Sequence, residues 1–400
     1  MSRRQFMAGS SPLLAGAAMA ALLPGALSGA NPSAVAKQID KLRPRRLARL
    51  PSDFRARVGA THVGGKYHLT DKPFLIEGAE RLLEMGTRLG KFWFNPRGIA
   101  TSYPFNSRWG TYATLGDLAK SEYFSQVFAM PFETIFLEAS AASEEGWQRE
   151  QPDSFYDAVA AEYREIAAFF YREYRDRALT VVLQHWEGDW LLRGDNKKWS
   201  PPSPDWQQRA ERMARWLAAR QAGVSRARDE GGGGAKCRVA HATEVNRVMD
   251  IHRGLPTVTD KVLPQVEVDL VSYSAYDGMR DAMTLYNCIQ TIRKHARTGP
   301  LFGKGAVCLG EIGIPENEQR ERVAERWDEL MGAAFAADAL YVIHWELYCN
   351  EPNPKVQPPP KPPIRAASDA RGFWLVRPDG TLGESGKYFS ALWKRAERGM

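Results

Sequence analysis

The chain predicts an α/β fold, a (β/α)8 TIM barrel forming a single catalytic domain, and three observations carry that expectation. Short apolar, β-rich runs recur along the sequence, amphipathic stretches of helical length separate them, and the runs number eight. Strands that alternate with helices pair in parallel through right-handed crossovers, and eight such units close a barrel.

The candidate strands are Arg57–His62, Gly90–Phe94, Thr134–Ala139, Thr180–Trp186, Cys237–Glu244, Val268–Ser274, Val307–Glu311 and Leu340–Glu346. Between them, Phe155–Arg175, Trp206–Gln221, Met279–Arg297 and Gln319–Ala337 place apolar residues at i, i+3 and i+4 with charges between. A doubly wound open sheet is the competing arrangement. It would bring a glycine-rich phosphate loop after the first strand, and Thr61-His62-Val63-Gly64-Gly65 does not match that fingerprint. Asp229–Lys236, with four consecutive glycines, reads as a flexible connection before the fifth strand. Pro352–Pro363, with seven prolines, reads as a stiff excursion from the C-terminal rim, either a wall of the cleft or a plain surface loop. Gly372–Thr381 predicts a hairpin with an Asp-Gly turn, and a last helix covers Lys387–Arg398.

The chain divides into residues 1–30, a lead-in over 31–52 and the barrel over 53–400. Met-Ser-Arg-Arg-Gln-Phe-Met, the small-residue apolar run Ala8–Leu27 and the closing Ser28-Gly29-Ala30 predict a twin-arginine signal peptide cleaved after Ala30. The expected partner in export is the twin-arginine translocase, and the expected location is the periplasm or the medium. Gly and Pro interrupt the apolar run, which argues against an anchor, and no other stretch approaches the ~18 apolar residues that span a bilayer. A net charge of +7 spread over 54 basic and 47 acidic residues gives no reason to expect nucleic acid as a partner. Cys237, Cys288, Cys308 and Cys349 are too scattered for a disulfide scaffold or a zinc site, although one disulfide stays open.

The chemistry collects where the strands end. The tips carry His62, Trp93 with Asn95 and Arg97, Glu138, His185-Trp186-Glu187, Glu244 with Asn246, Tyr273 with Tyr276, Glu311, and His344-Trp345-Glu346. Aromatic faces pack against the C–H faces of pyranose rings, while carboxylates, Asn and His hydrogen-bond the hydroxyl edges. Glu311 ends the apolar strand of Ala-Val-Cys-Leu-Gly-Glu-Ile-Gly, and Glu187 ends Leu-Thr-Val-Val-Leu-Gln-His-Trp-Glu. Two carboxylates on strand tips are the minimum equipment for hydrolysing a glycosidic bond.

The strand order, a Glu ending strand four, an aromatic-rich strand six, Gly-Glu-Ile-Gly on strand seven and a Trp-bearing strand eight resemble the clan A (β/α)8 retaining glycoside hydrolases, the cellulase-like superfamily. The closing Gly-Phe-Trp-Leu-Val-Arg-Pro-Asp-Gly-Thr followed by Lys-Tyr-Phe is similar to the way many such chains end. The resemblance implies Glu311 as nucleophile, Glu187 as acid/base, Trp345 under the reacting sugar and Tyr273 orienting the nucleophile. It implies a carbohydrate substrate bound by Trp93, Arg97, His185, Trp186, Trp190, Asn246, Tyr273, Tyr276, His344, Trp345 and Glu346, with no cofactor and no metal. One position departs from the pattern. The family commonly has Asn before the strand-four Glu, where this chain has Trp186. Glu244 and Glu138 are the reserve acids.

Two other readings compete. A metal-dependent barrel hydrolase would use His62, His185, His241 and His344 with a carboxylate, but the first strand lacks a His-x-His pair. A carbohydrate-binding barrel that lost its acid is the other, motivated by Trp186. A Ser/His/Asp enzyme lacks its Gly-x-Ser-x-Gly elbow.

Overall fold

The structure, a computed structural model, describes residues 31–194, 199, 201–299 and 301–399. The expected signal peptide, residues 1–30, lies outside the described residues. Eight parallel strands close a barrel in chain order: β1 (Val58–His62), β2 (Leu89–Phe94), β3 (Thr134–Ala139), β4 (Thr180–Gln184), β5 (Arg238–Val245), β6 (Leu270–Ser274), β7 (Val307–Ile312) and β8 (Val342–His344). Closure comes from β8 returning to β1, where Val342 pairs with Val58 and His344 with Ala60.

The outer shell is helical: α1 (Pro32–Lys41), α2 (Phe74–Met85), α3 (Glu122–Ala129), α4 (Asp153–Glu173), α5 (Trp206–Gly231), α6 (Ala282–His295), α7 (Val323–Ala336) and α8 (Glu384–Glu397). The lead-in therefore carries a helix, α1, and the backbone N–H of Arg45 beyond it donates to the Asp328 carboxylate of α7 at 3.0 Å. Helix α5 runs ten residues past the expected end at Gln221, because Val224 and Ala227 continue its buried stripe. Val268, expected to open strand six, instead joins Glu267 in pairing with Arg297–Thr298 in a separate two-stranded sheet. The Asp-Gly hairpin forms as expected, with Arg377 N–H donating to Thr381 O at 2.8 Å and Gly380 in the left-handed region at φ +79°. All four cysteines are buried free thiols. Among the described residues no helix is long and apolar enough to cross a membrane.

Side chains alternate across each strand, so the barrel interior is stacked in tiers. The lowest tier is apolar, built from Leu89, Phe136, Val182, Ala240, Leu270, Cys308 and Ile343. Two residues further along, the middle tier is polar, with Lys91, Glu138 and Gln184. The next inward positions are Trp93, Trp186 and Trp345, and the Trp93 ring meets both of the others at the mouth. Residues of the opposite parity, among them His62, His241 and His344, face the helices.

Strict alternation would turn Glu311 outward, since Cys308 points in. Strand β7 avoids this with an extra residue. Ser272 and Ser274 of β6 pair with Cys308 and Glu311, two positions opposite three, and Val342 and His344 of β8 pair with Leu309 and Ile312. Such a bulge re-aims a side chain, and here it turns Glu311 into the barrel. Gly310 sits in the bulge because an added Cβ would lie 1.8 Å from Ser272 Oγ and 3.1 Å from Ser272 Cβ. Gly310→Ala should therefore lower stability by about 1–3 kcal/mol, the usual cost of overpacking. Ser272→Ala in the same chain should recover part of the loss, as read by the thermal midpoints of the two single variants and the double variant. Additive losses would show that Ser272 is not the obstructing group.

Candidate active site

The middle tier holds one cation among several carboxylates. Lys91 Nζ, fully buried, lies 2.7 Å from Glu138 Oε1, 3.8 Å from Glu244 Oε2 and 3.9 Å from Glu311 Oε2, and it donates to Gly310 O at 3.0 Å. Burial disfavours its charge, but Glu138, Glu244 and Glu311 more than offset that, so the ammonium is held above its usual range. Gln184 Nε2 cross-links the carboxylates, donating to Glu138 Oε1 at 2.6 Å and to Glu244 Oε2 at 3.1 Å.

Glu311 occupies the top of this cluster and is 6 % exposed. Burial pushes its carboxyl up to about 7, with Lys91 and the Tyr276 hydroxyl pulling the other way. Tyr276 comes from the short turn after β6, and the residue is 41 % exposed. Its hydroxyl faces Glu311, and burial and that neighbour keep the phenol well above its usual range, so it stays protonated. The expected orienting tyrosine, Tyr273, does not fill this role. It has the outward parity on β6, is fully buried, and donates to Asp277 Oδ1 at 2.5 Å.

Glu187 follows β4 in the left-handed region, φ +53° and ψ +56°, and caps the short helix Gly188–Arg193. Its backbone N–H donates to Glu244 Oε1 at 2.6 Å. Behind it, Asp189 accepts from the N–H groups of Asn246 and Arg247 at 2.8 and 3.1 Å and from Val258 at 2.8 Å. The β4 and β5 tips are thus tied together at the position of the expected acid. Glu244 is fully buried, and burial raises its carboxyl well above the usual range while Lys91 and the Glu187 N–H oppose the shift.

Tryptophans roof the site. Trp93 lies edge-on to Trp186 with ring centroids 5.5 Å apart and is tilted against Trp345 at 5.7 Å. Trp345 is almost fully buried, while Trp93 and Trp186 are half-buried. Trp190 stands apart, flanked by the guanidiniums of Arg193 and Arg247 at 5.3 and 5.5 Å. Arg97 is exposed on the rim and pairs with Glu145.

Four expected sugar contacts belong to the scaffold instead. The His185 ring is buried against Trp216 and accepts from Glu244 N–H at 3.2 Å, so it points toward helix α5. The His344 ring packs between Trp327 and Phe389, and burial lowers it to about 3. Asn246 uses its carbonyl oxygen to accept from Asp189 N–H at 2.9 Å. Glu346 is fully buried, and its Oε1 accepts from Asn350 N–H at 2.7 Å, which holds the start of the proline-rich loop. The imidazoles of the metal reading are dispersed as well. His62 bonds Phe74 O at 2.8 Å, while His241 lies near Gln221 and Tyr163. Among the described residues no group of three or more metal-ligating side chains forms.

Lys91 and Gln184 are the polar site residues that sequence reasoning passed over. The signal was present, because both stand at inward positions of apolar strands, one residue pair below Trp93 and Trp186. Glu138 and Glu244, the reserve acids, prove to be members of the same buried tier.

No protein-family model matches the chain, and no curated protein sequence matches it. Among solved structures it is similar to the beta-glucosidase from Thermotoga maritima in complex with glucoimidazole, at 11 % identity over 88 % of this chain and 100 % of that one, TM-score 0.52. It is also similar to the glycoside hydrolase 5 lichenase from Caldicellulosiruptor sp. F32, at 10 % identity over 86 % and 94 % of the two chains, TM-score 0.49. A GH5 xyloglucan-specific endo-beta-1,4-glucanase from a metagenomic library aligns at 13 % identity over 90 % and 99 %, TM-score 0.46. The likeness to the beta-glucosidase, at 11 % identity, is one of fold.

Proposed function

We propose that the protein is an exported glycoside hydrolase that cleaves O-glycosidic bonds of a poly- or oligosaccharide with net retention. One observation carries the reading. A carboxylate, Glu311, is turned by a strand bulge into the mouth of the barrel, where a tyrosine hydroxyl and a buried ammonium face it under a roof of tryptophans. Aromatic walls suit the apolar faces of sugar rings. In the proposed reaction Glu311 attacks the anomeric carbon while Glu187 gives its proton to the departing glycosidic oxygen. Water then enters, Glu187 takes its proton, and the Glu311–sugar bond breaks to release a product of unchanged anomeric configuration.

Screening the purified protein lacking residues 1–30 against a glycan panel, with NMR of the newly released reducing end, tests the reading. Turnover with retention is expected, and inversion would refute the assigned roles. Glu311→Gln and Glu187→Gln should each lower kcat by ~10²-fold or more, the scale of a lost catalytic carboxylate. Glycan binding without turnover would leave the non-catalytic carbohydrate-binding barrel as the better description.

The pH dependence has a definite sign. A nucleophile acts only when ionised, and the Glu311 carboxyl lies at about 7. kcat/KM should fall tenfold per pH unit below about 7, as measured by initial rates between pH 4 and 8. A plateau extending down to pH 5 would show that Glu311 is not the group that must ionise.

Export depends on the paired arginines of the first 30 residues. Arg3→Lys with Arg4→Lys should leave the precursor in the cytoplasm, read by fractionation and immunoblotting, whereas unchanged secretion would exclude the twin-arginine route.

A further inference from the structure

We propose that Glu244 is a positioning residue for Glu187, seating the turn that carries the candidate acid through its carboxylate and its backbone. The inference rests on Glu187 being the acid/base. Three contacts join the β4 and β5 tips at this point. Glu187 N–H donates to Glu244 Oε1 at 2.6 Å, Glu244 N–H donates to His185 Nε2 at 3.2 Å, and a Cβ on Gly188 would lie 2.1 Å from Glu244 O. The residues on both sides of Glu187 are thereby pressed against one residue of β5. Glu187 itself has a left-handed backbone, φ +53°, which a β-carbon disfavours and which surrounding contacts must maintain.

Glu244 is not placed to be the acid. It is fully buried, Oε1 is taken by Glu187 N–H, and Oε2 accepts from Gln184 Nε2 at 3.1 Å with Lys91 Nζ 3.8 Å away. Gln184 in turn is anchored on Glu138 at 2.6 Å. The carboxylate is therefore the last link in a chain that runs from the buried ammonium to the main chain of Glu187. Its acceptor atom, rather than its charge, meets the turn.

A misplaced acid has a kinetic signature that general damage lacks. Departure of a poor leaving group needs the proton, whereas departure of 2,4-dinitrophenolate does not. The probes are phenyl and 2,4-dinitrophenyl glycosides of the sugar turned over in the panel, beginning with β-D-glucosides. Glu244→Asp keeps the charge but withdraws the acceptor, and Glu244→Ala removes it. In both, kcat/KM for the phenyl glycoside should fall by ~10²-fold, the cost of misplacing a reacting group by about 1 Å, while the dinitrophenyl substrate is nearly unaffected. Glu244→Gln retains the Oε1 acceptor for Glu187 N–H and should show no leaving-group selectivity: any loss that comes from the altered charge of the tier falls equally on both substrates, unlike that of a lost acid.

Equal losses on both substrates in Glu244→Asp would reduce Glu244 to a structural residue and overturn the proposal. A Glu244→Gln variant as selective as Glu187→Gln would make Glu244 itself the acid, which also overturns it. Full activity in Glu244→Asp and Glu244→Ala would do the same. Should Glu244→Ala fail to fold, the Asp and Gln pair decides alone. Glu187→Gln is read separately: an absence of leaving-group selectivity there removes the assignment of Glu187, whatever Glu244 does.

Discussion

Lys91 Nζ is fully buried in the middle tier of the barrel, and a charge there persists only because carboxylates surround it. Desolvating an ammonium costs several kcal/mol even after relaxation, and only close, well-oriented partners return it. Glu138 at 2.7 Å is the direct partner, while Glu244 and Glu311 stand at 3.8 and 3.9 Å, within Coulombic range but beyond a hydrogen bond. One cation cannot neutralise three buried carboxylates. The shortfall explains why burial wins at Glu244 and Glu311, both of which hold protons more tightly than a free glutamate. A carboxyl poised near neutrality is thus a product of the charge count in the tier below it.

The tryptophan roof acts on the same balance from above. Trp93 is close to Lys91, whose Nζ lies 5.5 Å from the ring, and it touches both Trp186 and Trp345. These rings keep water from the top of the polar tier, which strengthens every charge interaction beneath them. They also provide broad apolar faces at the inward positions of the mouth. A ligand that fits must combine flat apolar faces with hydroxyls for Glu311 and Tyr276, which is the composition of a sugar ring.

The architecture was legible because it rests on repetition. Eight apolar runs separated by helical periods leave few alternatives, and even the Asp379-Gly380 turn follows from local chemistry. The site was legible only in part, and the reason is parity. Listing strand-tip residues together mixes the two faces of each strand, so His185 and His344, one residue from inward positions, were grouped with Trp186 and Trp345 although they face helices. Tyr276 takes the place expected of Tyr273 for a related reason, since the chain leaves β6 at Ser274 and the turn that follows swings Tyr276 back over Glu311. Counting by twos from Leu89 or Val182 would have exposed Lys91 and Gln184. It would have failed at Glu311, because the bulge at Gly310 leaves no sign in hydropathy beyond the glycine itself.

Both candidate catalytic carboxylates stand where regular structure is interrupted. Glu311 follows a bulge in β7, and Glu187 follows β4 in a left-handed turn. A regular strand offers only two directions for a side chain, into the barrel axis or out toward the helices, and strict alternation from Cys308 and from Gln184 would turn both Glu311 and Glu187 outward. An extra residue or a left-handed backbone breaks that alternation, at a conformational cost that neighbouring bonds must offset. At β7 that support is Gly310, whose carbonyl accepts from Lys91 and whose missing side chain lets Ser272 approach. At β4 it is Glu244 and Asp189, which together occupy the N–H groups of Glu187, Asn246 and Arg247. The irregularities and the buried polar tier are therefore one construction: the side chains that make the interior of this barrel costly are the same ones that hold its two exceptional backbone positions in place.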